Sequence, residues 1–416
     1  MIVQKSDIHV FAHWQGMEQA KALGILTAQQ AKGRQAFGFA YQKEWIQTNH
    51  QFLLDPDLEW FSGPQFPLKK NIFGVFMDSM PDTWGRTLMQ RREALQAKEE
   101  GRAMVPLTDL DLLLGVSDQS RMGALRFKLN IDGPFLDNSN TMPIPPWNHI
   151  FELQKAAKML ETDTENKQVK KWMAILLAPG SSLGGARPKA NVMDGKRHLW
   201  IAKFPSKSDI VDKAAWEYLA YQLALGCGIE MSESKIEKVT ASHHTFFTKR
   251  FDRAGSERIH FSSAMTMTCQ TEESIKSNPP SYLDLAEFIQ YHGARNQVDL
   301  AQLWRRMVFN IAISNTDDHL RNHGFLLTPK GWVLSPAFDL NPSIDKNGLS
   351  LNINTTQNDL DFDLAKSVGE YFQLSENQMC KILNDVRNCI SKWKSVAKSL
   401  GISRSEQQLM EVAFRF

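Results

Sequence analysis

The pattern of apolar and polar residues predicts a small α+β module at the start of the chain. Residues 8–14 alternate like a strand, and residues 35–41 are predicted to form its neighbour. The Pro81-Asp82 step predicts the start of a helix that runs to about Gly101. Residues 131–147 are rich in Gly, Pro and Asn and cannot hold regular structure. The first 147 residues are therefore predicted to form a subdomain that ends in a linker.

The middle of the chain combines a glycine-rich loop with a predicted hairpin. Apolar runs at 190–193 and 198–204 are joined by Asp194-Gly195, a dipeptide that favours a tight turn, and a helix is predicted over 213–225. The preceding stretch, 179–189, is rich in glycine and serine. Because backbone N–H groups of such a loop can point inward together, the pattern is typical of a phosphate cradle.

A polar stretch at 314–324 follows an apolar helix-like run and precedes a predicted hairpin at 325–333. It contains Asp317 and Asn322, five positions apart. This is the spacing of a phosphotransfer catalytic loop, in which the Asp accepts a proton from the attacking hydroxyl and the Asn ligates a metal ion. The His-Arg pair that precedes the Asp in protein kinases is absent here. The loop nevertheless predicts phosphotransfer chemistry.

Two further residues fit the same chemistry. Asp339 lies seventeen residues beyond Asn322, in the segment 336–342, where a second magnesium-binding carboxylate is expected. Lys203, near the end of the second strand, resembles the kinase lysine that pairs with nucleotide phosphates. Glu217, on the helix that follows, is placed to orient that lysine.

Other interpretations fit less well. A Walker loop starting at Gly180 would need Lys where the chain has Ala186. The run from Gly180 to Gly184 matches the nucleophile elbow of a serine hydrolase around Ser182, but the glycines and prolines that follow argue against the required helix. His319 lacks the following Glu of a zinc hydrolase, so it is predicted to brace the loop by hydrogen bonds.

Composition excludes several classes of protein. The chain has 416 residues, 42% of them hydrophobic, and its 48 basic and 46 acidic residues nearly cancel. This balance provides no general attraction to nucleic acid or anionic membranes. We find no signal peptide or membrane-spanning run, so a cytoplasmic protein without a membrane partner is expected. The four cysteines form no C-x-x-C pair and are expected to be buried, reduced thiols: Cys227, Cys269, Cys380 and Cys389.

The combination of motifs resembles the HipA-like serine/threonine kinases of bacterial toxin–antitoxin systems. The resemblance implies an α+β, two-lobed protein-kinase-like fold with an additional small N-terminal subdomain. The expected parts are 1–147 for the subdomain, 148–254 for the small lobe and 255–416 for a mostly helical large lobe. The motifs that carry the resemblance are at 182–189, 201–205, 247–253, 315–322 and 336–339.

The resemblance also implies roles for individual residues. Asp317 is expected to be the catalytic base, Asn322 and Asp339 to ligate Mg²⁺, and Ser182, or its neighbour Ser181, to be autophosphorylated. Asp318 beside the base is expected to alter either metal binding or the pKa of Asp317. The residues expected to contact ATP are Ser182, Gly184, Gly185, Ala186, Lys189, Lys203, the hinge residues Thr248, Lys249, Arg250 and Phe251, and His319.

The sequence thus predicts an ATP- and Mg²⁺-dependent protein serine/threonine kinase, the toxin of a toxin–antitoxin module. A catalytically silent kinase fold that acts as a binding or repressor subunit is the main alternative, and a serine hydrolase that uses Ser182 is another. By resemblance, the protein substrate is expected to be a translation component such as an aminoacyl-tRNA synthetase. A helix-turn-helix antitoxin is the expected partner, and DNA is expected to be bound only through it.

Overall fold

A computed structural model of the chain describes residues 4–31, 34–136, 144–162, 176, 185–240 and 243–416. The chain divides into two compact units. The first comprises Met1–Lys207 and Asp252–Ser262, and the second comprises Ser208–Phe251 and Ser263–Phe416. Each unit is therefore built from segments that are discontinuous in sequence. The three-part division expected from the sequence stays a prediction.

An antiparallel sheet organises the first unit. Its strands are β1 (Gln4–Ala12), β2 (Lys21–Ala31), β3 (Arg34–Tyr41) and β4 (Leu125–Lys128), in the order β3-β2-β1-β4. The predicted strands at the start of the chain are confirmed, but the prediction that they pair with each other is wrong because β2 lies between them. The alternation in β2 is interrupted by Gly24, which explains why the sequence pattern did not reveal it.

Helices cover this sheet and supply the rest of its core. The predicted helix after Asp82 is confirmed as α3, and its ends follow from the sequence. Asp82 accepts a hydrogen bond from the Gly85 N–H at 2.8 Å, and Gly101 ends the helix in the left-handed conformation with φ 64°. The helices of this unit are α1 (Lys43–Thr48), α2 (Gly74–Met77), α3 (Thr83–Glu100), α4 (Asp109–Leu114) and α5 (Ile150–Glu161).

The core of the first unit is mostly aromatic and aliphatic, and it includes the buried Arg121. Phe39 and Phe76 pack ring against ring, with centroids 5.5 Å apart. The guanidinium of Arg121 is buried beside them and donates to three backbone carbonyls, those of Ser79, Leu113 and Val116, at 2.7 to 2.9 Å. Because buried carbonyls need partners, Arg121 completes the hydrogen bonding of this core.

The predicted hairpin in the middle of the chain is confirmed as β5 (Lys189–Met193) and β6 (Leu199–Lys203). Asp194 stabilises its turn by accepting hydrogen bonds from the His198 N–H at 2.8 Å and from the Trp200 indole N–H at 2.9 Å. Further short strands lie later in the chain, between residues 253 and 263. They are β9 (Arg253–Ala254), β10 (Glu257–Arg258) and β11 (Phe261–Ser263).

The second unit is mainly helical and contains two antiparallel hairpins. The first hairpin pairs β7 (Ser234–Glu237) with β8 (Thr245–Lys249), and the second pairs β12 (Gly324–Thr328) with β13 (Gly331–Leu334). Its helices are α6 (Lys213–Gly226), α7 (Ala264–Met267), α8 (Glu272–Ser277), α9 (Tyr282–His292), α10 (Asn296–Ala312), α11 (Phe362–Ser367), α12 (Glu376–Ile390), α13 (Trp393–Ser399) and α14 (Arg404–Met410).

The centre of the second unit is α10, which carries eleven buried residues. Leu303, Trp304 and Met307 are fully buried on this helix. The predicted helices at 213–225 and 303–313 and the predicted hairpin at 325–333 are confirmed. None of the helices in the described part of the chain combines the length and apolar character of a membrane-spanning segment.

Burial of the cysteines differs from the expectation. Cys227 is buried, but Cys269 and Cys380 are exposed. Cys269 lies in a left-handed turn after α7 with φ 56°, and Cys380 lies on an exposed position of α12. The prediction of burial is therefore wrong for these two residues, since their places in a turn and on a helix surface depend on tertiary structure.

Candidate active site

The polar stretch at 314–324 forms a loop between α10 and β12 that is held by backbone hydrogen bonds. Ser314 leaves the helix with φ 51°, and the Asn315 N–H returns to the Asn310 carbonyl at 2.8 Å. At the other end, the His323 carbonyl accepts from the Ala264 N–H at 2.9 Å. A 3₁₀ turn at Leu320–Asn322 lies between these anchors. The loop is thus fixed at both ends and in the middle.

Asp317 and Asn322 are joined directly within this loop. The Asn322 side-chain N–H donates to the Asp317 backbone carbonyl at 3.0 Å, while the Asp317 side chain is exposed. Asn322 is buried, and its Oδ1 has no hydrogen-bond partner among the described residues. An unpaired buried oxygen costs free energy unless a ligand satisfies it. Oxygen is the ligand that Mg²⁺ prefers, so Asn322 is a candidate metal ligand.

Asp318 points in the opposite direction, into the core of the second unit. Its side chain is 1% exposed, and its Oδ2 accepts from the Tyr282 hydroxyl and from Nε2 of His323 at 2.8 Å. The Tyr282 hydroxyl in turn accepts from the Asn310 amide at 3.1 Å. The sequence analysis did not identify Tyr282 or His323 as partners. Tyr282 lies 36 positions away, and no spacing rule links it to the loop.

Burial and hydrogen bonding act in opposite directions on this carboxyl. Burial disfavours its charged form, but the charge of His323 and the hydrogen bonds from His323 and Tyr282 outweigh burial and lower the pKa of Asp318. Burial, followed by the charge of Asp318, raises the pKa of Tyr282 well above its usual value. Tyr282 therefore keeps its proton and donates a hydrogen bond to a charged Asp318 at neutral pH.

The side chain of His319 does not lie where the predicted role of bracing the loop would place it. Its backbone carbonyl accepts from the Asn322 N–H at 2.8 Å, so the residue does help to hold the turn. Its Nδ1, however, has no hydrogen-bond partner among the described residues, and the side chain borders a cleft. The side-chain bracing predicted for His319 is supplied instead by Asp318 and His323.

Asp339 follows β13 in an unusual backbone conformation. Its φ is 60°, a left-handed value that is uncommon for a residue other than glycine and costs roughly 1 kcal/mol or more. Its Oδ1 accepts from the Asn341 side chain at 3.1 Å. Such strain persists only where the surrounding structure enforces it, and it is enriched at functional sites. This conformation makes Asp339 a candidate functional residue.

The expected hinge residues lie beside the Asp339 segment. The ring centroids of Phe251 and Phe338 are 5.5 Å apart, and the Ala337 N–H donates to the Glu230 carbonyl at 2.8 Å. Thr248 and Lys249, at the end of β8, contact Ser234 and Glu233, respectively. Arg250 is buried. Among the hinge candidates, Phe251 therefore contacts the residue that precedes the metal-ligand candidate Asp339.

Several of the expected nucleotide contacts lie in the first unit. The Lys189 ammonium is buried and contacts Oδ2 of Asp82 at 2.9 Å and the Gly185 carbonyl at 3.2 Å. Burial, which outweighs the charge of Lys189, raises the pKa of Asp82. Gly185 has φ 93°, Ala186 is exposed, and Lys203 is half-buried at the end of β6. Ser181, Ser182 and Gly184 lie outside the described residues.

A cleft of about 710 Å³ in the second unit adjoins the loop at 314–324. The loop contributes residues 319–321 to its wall, and the segment after Asp339 contributes 346–352. Pro279, Pro280 and Ile275 form an apolar part, and an ion pair between Arg321 and Glu272 lies at the same cleft. Within the described ranges, no group of three or more His, Cys, Asp or Glu residues is arranged to hold a metal ion.

Comparisons with known proteins identify the class of this chain. A model of the HipA-like C-terminal domain matches residues 181–393, which is just over half of the sequence. The chain therefore belongs to the HipA-like family. It is similar in fold to HipA of Shewanella oneidensis MR-1, solved with HipB and its operator DNA, with a TM-score of 0.61 and 16% identity. This match covers 98% of this chain and 94% of that one, and it confirms the predicted kinase-like α+β fold class.

Two curated relatives match more limited regions. The Sinorhizobium fredii protein Y4mE, named as a candidate kinase, is 22% identical over 211 residues, which are 46% of this chain and 48% of Y4mE. The toxin YjjJ of Escherichia coli K12 is 28% identical over 178 residues, 40% of this chain and 39% of YjjJ. The chain thus spans about half the length, or less, of the curated relatives it matches.

Proposed function

We propose that this chain is an ATP- and Mg²⁺-dependent protein serine/threonine kinase that acts as the toxin of a toxin–antitoxin module. The observation that supports this function most directly is the pairing of Asp317 with Asn322. The loop exposes one carboxylate and, five residues later, holds a buried amide oxygen with no partner among the described residues. Membership of the HipA-like family and the kinase name of one relative support the same proposal.

In this proposal Asp317 accepts the proton of an acceptor hydroxyl as phosphate is transferred. A positioned general base of this kind contributes roughly 10²- to 10⁴-fold to the rate. Asn322 and Asp339 would provide the oxygen ligands for the metal ion, and the Oδ1 of Asn322, which has no partner among the described residues, fits that role. Mg²⁺-ATP, when bound, supplies the phosphoryl group. The hydrogen bond from Asn322 to the Asp317 carbonyl keeps the base and the metal ligand in register.

The nucleotide is proposed to contact the residues that the family resemblance implies. Thr248, Lys249, Arg250 and Phe251 would border adenine, and Lys203 would pair with the phosphates, as the family resemblance implies. Glycine-rich backbone at Gly184 and Gly185, together with Ser182, Ala186, Lys189 and His319, completes the proposed set. Because Lys189 contacts Asp82 in the first unit, its ammonium would have to be shared between Asp82 and phosphate. Ser182 is the proposed site of autophosphorylation.

The acceptor is proposed to be a protein segment that lies in the cleft beside residues 319–321. The cleft has an apolar wall of Pro279, Pro280 and Ile275 and a polar rim of Arg321, Glu272 and Lys346, so a protein segment would find both apolar and charged contacts there. By family resemblance, the acceptor would be a translation component such as an aminoacyl-tRNA synthetase. The partner would be a helix-turn-helix antitoxin that contacts DNA, and the solved HipA–HipB–operator complex supports this part of the proposal.

The experiment that tests this function is transfer of label from γ-labelled ATP. The purified chain is incubated with labelled ATP, Mg²⁺ and bacterial lysate proteins, and labelled serine and threonine residues are mapped by mass spectrometry. We expect an acceptor protein to become labelled. We expect this labelling to be lost when EDTA removes Mg²⁺. Binding of ATP without any transfer would favour the silent kinase fold. Ester hydrolysis that is abolished by Ser182→Ala would favour the hydrolase.

A further inference from the structure

Two consecutive carboxylates of the catalytic loop face opposite environments. The Asp317 side chain is exposed, whereas the Asp318 side chain is buried in the core of the second unit. The two residues share one planar peptide unit. A contact that fixes the Asp318 side chain therefore also restricts the backbone of Asp317. The position of the exposed carboxylate depends on what holds the buried one.

Asp318 is held from two sides of the loop. Tyr282 is the first residue of α9, and its hydroxyl donates to Oδ2 of Asp318. His323 immediately precedes β12, and its Nε2 lies 2.8 Å from the same oxygen. Because the two donors come from different elements, the carboxylate ties the loop to a helix and to a strand at one atom.

The hydrogen bonds continue into the helix that precedes the loop. The Asn310 amide on α10 donates to the Tyr282 hydroxyl at 3.1 Å, and the Asn315 amide donates to Oδ1 of Asn310 at 3.0 Å. Asn310, Asn315 and Tyr282 are all buried. Buried polar networks of this kind resist rearrangement, because a lost bond leaves an unsatisfied polar group in a region of low dielectric. The network thus connects both ends of the loop to the core.

A carboxylate suits this position better than an amide. One oxygen of Asp318 accepts two hydrogen bonds, and bonds to an ionised acceptor are shorter and stronger than neutral ones. An asparagine would accept weaker bonds and would bury two N–H donors that need partners of their own. Substitution by asparagine should therefore loosen the anchor while changing side-chain volume very little.

We infer that Asp318 is a positioning residue that, through Tyr282 and His323, fixes the backbone of Asp317 for the reaction. The inference rests on the proposed kinase function for the reaction that it serves. The Tyr282 hydroxyl donates to Asp318 and accepts from Asn310, so the effect of Tyr282 on Asp317 is expected to pass through Asp318. A displacement of about 1 Å in a catalytic group can cost about 10²-fold in rate, which sets the size of the expected effect.

The test is a double-mutant cycle of Asp318→Asn and Tyr282→Phe, measured with the full chain and the acceptor protein from the labelling experiment. We expect Asp318→Asn to lower kcat by about 10²-fold and Tyr282→Phe by about 10-fold, with KM for ATP unchanged. The double variant should be no slower than Asp318→Asn alone. Matched controls are Asp363→Asn and Tyr371→Phe, whose side chains are exposed in the same unit. Both controls should keep the wild-type rate.

Rates are compared only between variants whose thermal unfolding shows a folded population. Should Asp318→Asn fail to fold, Tyr282→Phe decides, since it removes one hydroxyl only. A folded Asp318→Asn or Tyr282→Phe with the wild-type kcat overturns the inference, as do additive effects in the double variant or a loss confined to KM.

Failure of the proposed function is distinguishable from failure of this inference. If the wild type transfers no phosphate, the kinase proposal fails, and amide hydrogen exchange then decides the positioning role. Faster exchange of the amides at 314–324 in Asp318→Asn, with amide exchange in α12 unchanged, supports the positioning role. Equal exchange in this variant and the wild type overturns it.

Discussion

The Asn322 side chain donates to the Asp317 backbone carbonyl at 3.0 Å, so the candidate metal ligand and the candidate base are linked by one hydrogen bond. This bond uses the nitrogen of the amide and leaves its oxygen without a partner among the described residues. The loop can therefore hold a cation without breaking its own internal bonding. In the proposed reaction, a base and a ligand whose backbones are already held would need little rearrangement when the nucleotide binds.

The first prediction follows from this geometry. Asn322→Ala removes the unpaired oxygen and the bond to Asp317, so the Mg²⁺ concentration needed for half-maximal transfer should rise by at least about 10-fold. Initial rates measured against Mg²⁺ at saturating ATP test it. The matched control is Asn384→Ala on the exposed side of α12, which should match the wild type. An unchanged Mg²⁺ requirement in a folded Asn322→Ala variant would remove Asn322 from the site.

The candidate catalytic loop at 314–324 shows what the sequence can and cannot reveal. The Asp-x-x-x-x-Asn spacing is local, so the loop and its flanking helix and hairpin could be predicted. The direction of the Asp318 side chain depends on Tyr282, which reaches it only through the packing of α9 against α10. No local pattern encodes that contact. The roles expected for Asp318 therefore had to be left open at the sequence level.

The first unit illustrates a second limit of sequence analysis. Strands β1 and β3 alternate well enough to be predicted, but Gly24 breaks the pattern of the strand between them. The reason for that glycine is tertiary. A Cβ atom on Gly24 would lie 2.3 Å from Cζ of Phe39 and 2.5 Å from the Ala40 carbonyl. The order in which the strands pair thus depends on a close approach between Gly24 and Phe39, and only the folded sheet reveals this approach.

The second prediction concerns this close approach. Gly24→Ala should destabilise the first unit by about 1–3 kcal/mol, because the methyl group can be accommodated only if Phe39 or the strand moves. Urea unfolding measures the change. Gly195→Ala is the matched control in the same unit, since the described residues, apart from its two chain neighbours, place no atom within 4 Å of the added Cβ and its φ is not positive. Equal stability of the Gly24→Ala variant and the wild type would contradict the sheet described above.

The third prediction concerns the pH dependence of stability. Burial raises the pKa of Asp55 to about 6, although its carboxylate accepts hydrogen bonds from the N–H groups of Asp57 and Val75. In the folded state the Asp55 carboxyl therefore keeps its proton between about pH 4 and pH 6, whereas the same carboxyl in the unfolded state has lost its proton. The contribution of Asp55 to the free energy of unfolding is greatest at acid pH, and it falls as the pH rises through that window. The loss amounts to roughly 2–3 kcal/mol.

Asp55→Asn isolates this contribution, because asparagine does not titrate. The free energy of unfolding of the wild type, minus that of Asp55→Asn, should fall between pH 4 and pH 6.5 and then level off. The same measurement is made on Asp57→Asn, an Asp-to-Asn substitution at a neighbouring position. It shows which effects come from replacing any aspartate by asparagine. A difference that stays constant across this range would show that Asp55 keeps its ordinary pKa in the folded protein.

The central claim is that Asp317 is the general base of a phosphotransfer reaction, and one measurement tests it most directly. The rate of label transfer from γ-labelled ATP to the acceptor protein is measured at saturating Mg²⁺-ATP for the wild type, Asp317→Asn and the exposed control Asp363→Asn. Asp317→Asn should fold, since its side chain is exposed, and should bind ATP. The account predicts that its transfer rate is lower by about 10²- to 10⁴-fold, with the control unchanged. A folded Asp317→Asn variant that transfers phosphate at the wild-type rate would contradict it.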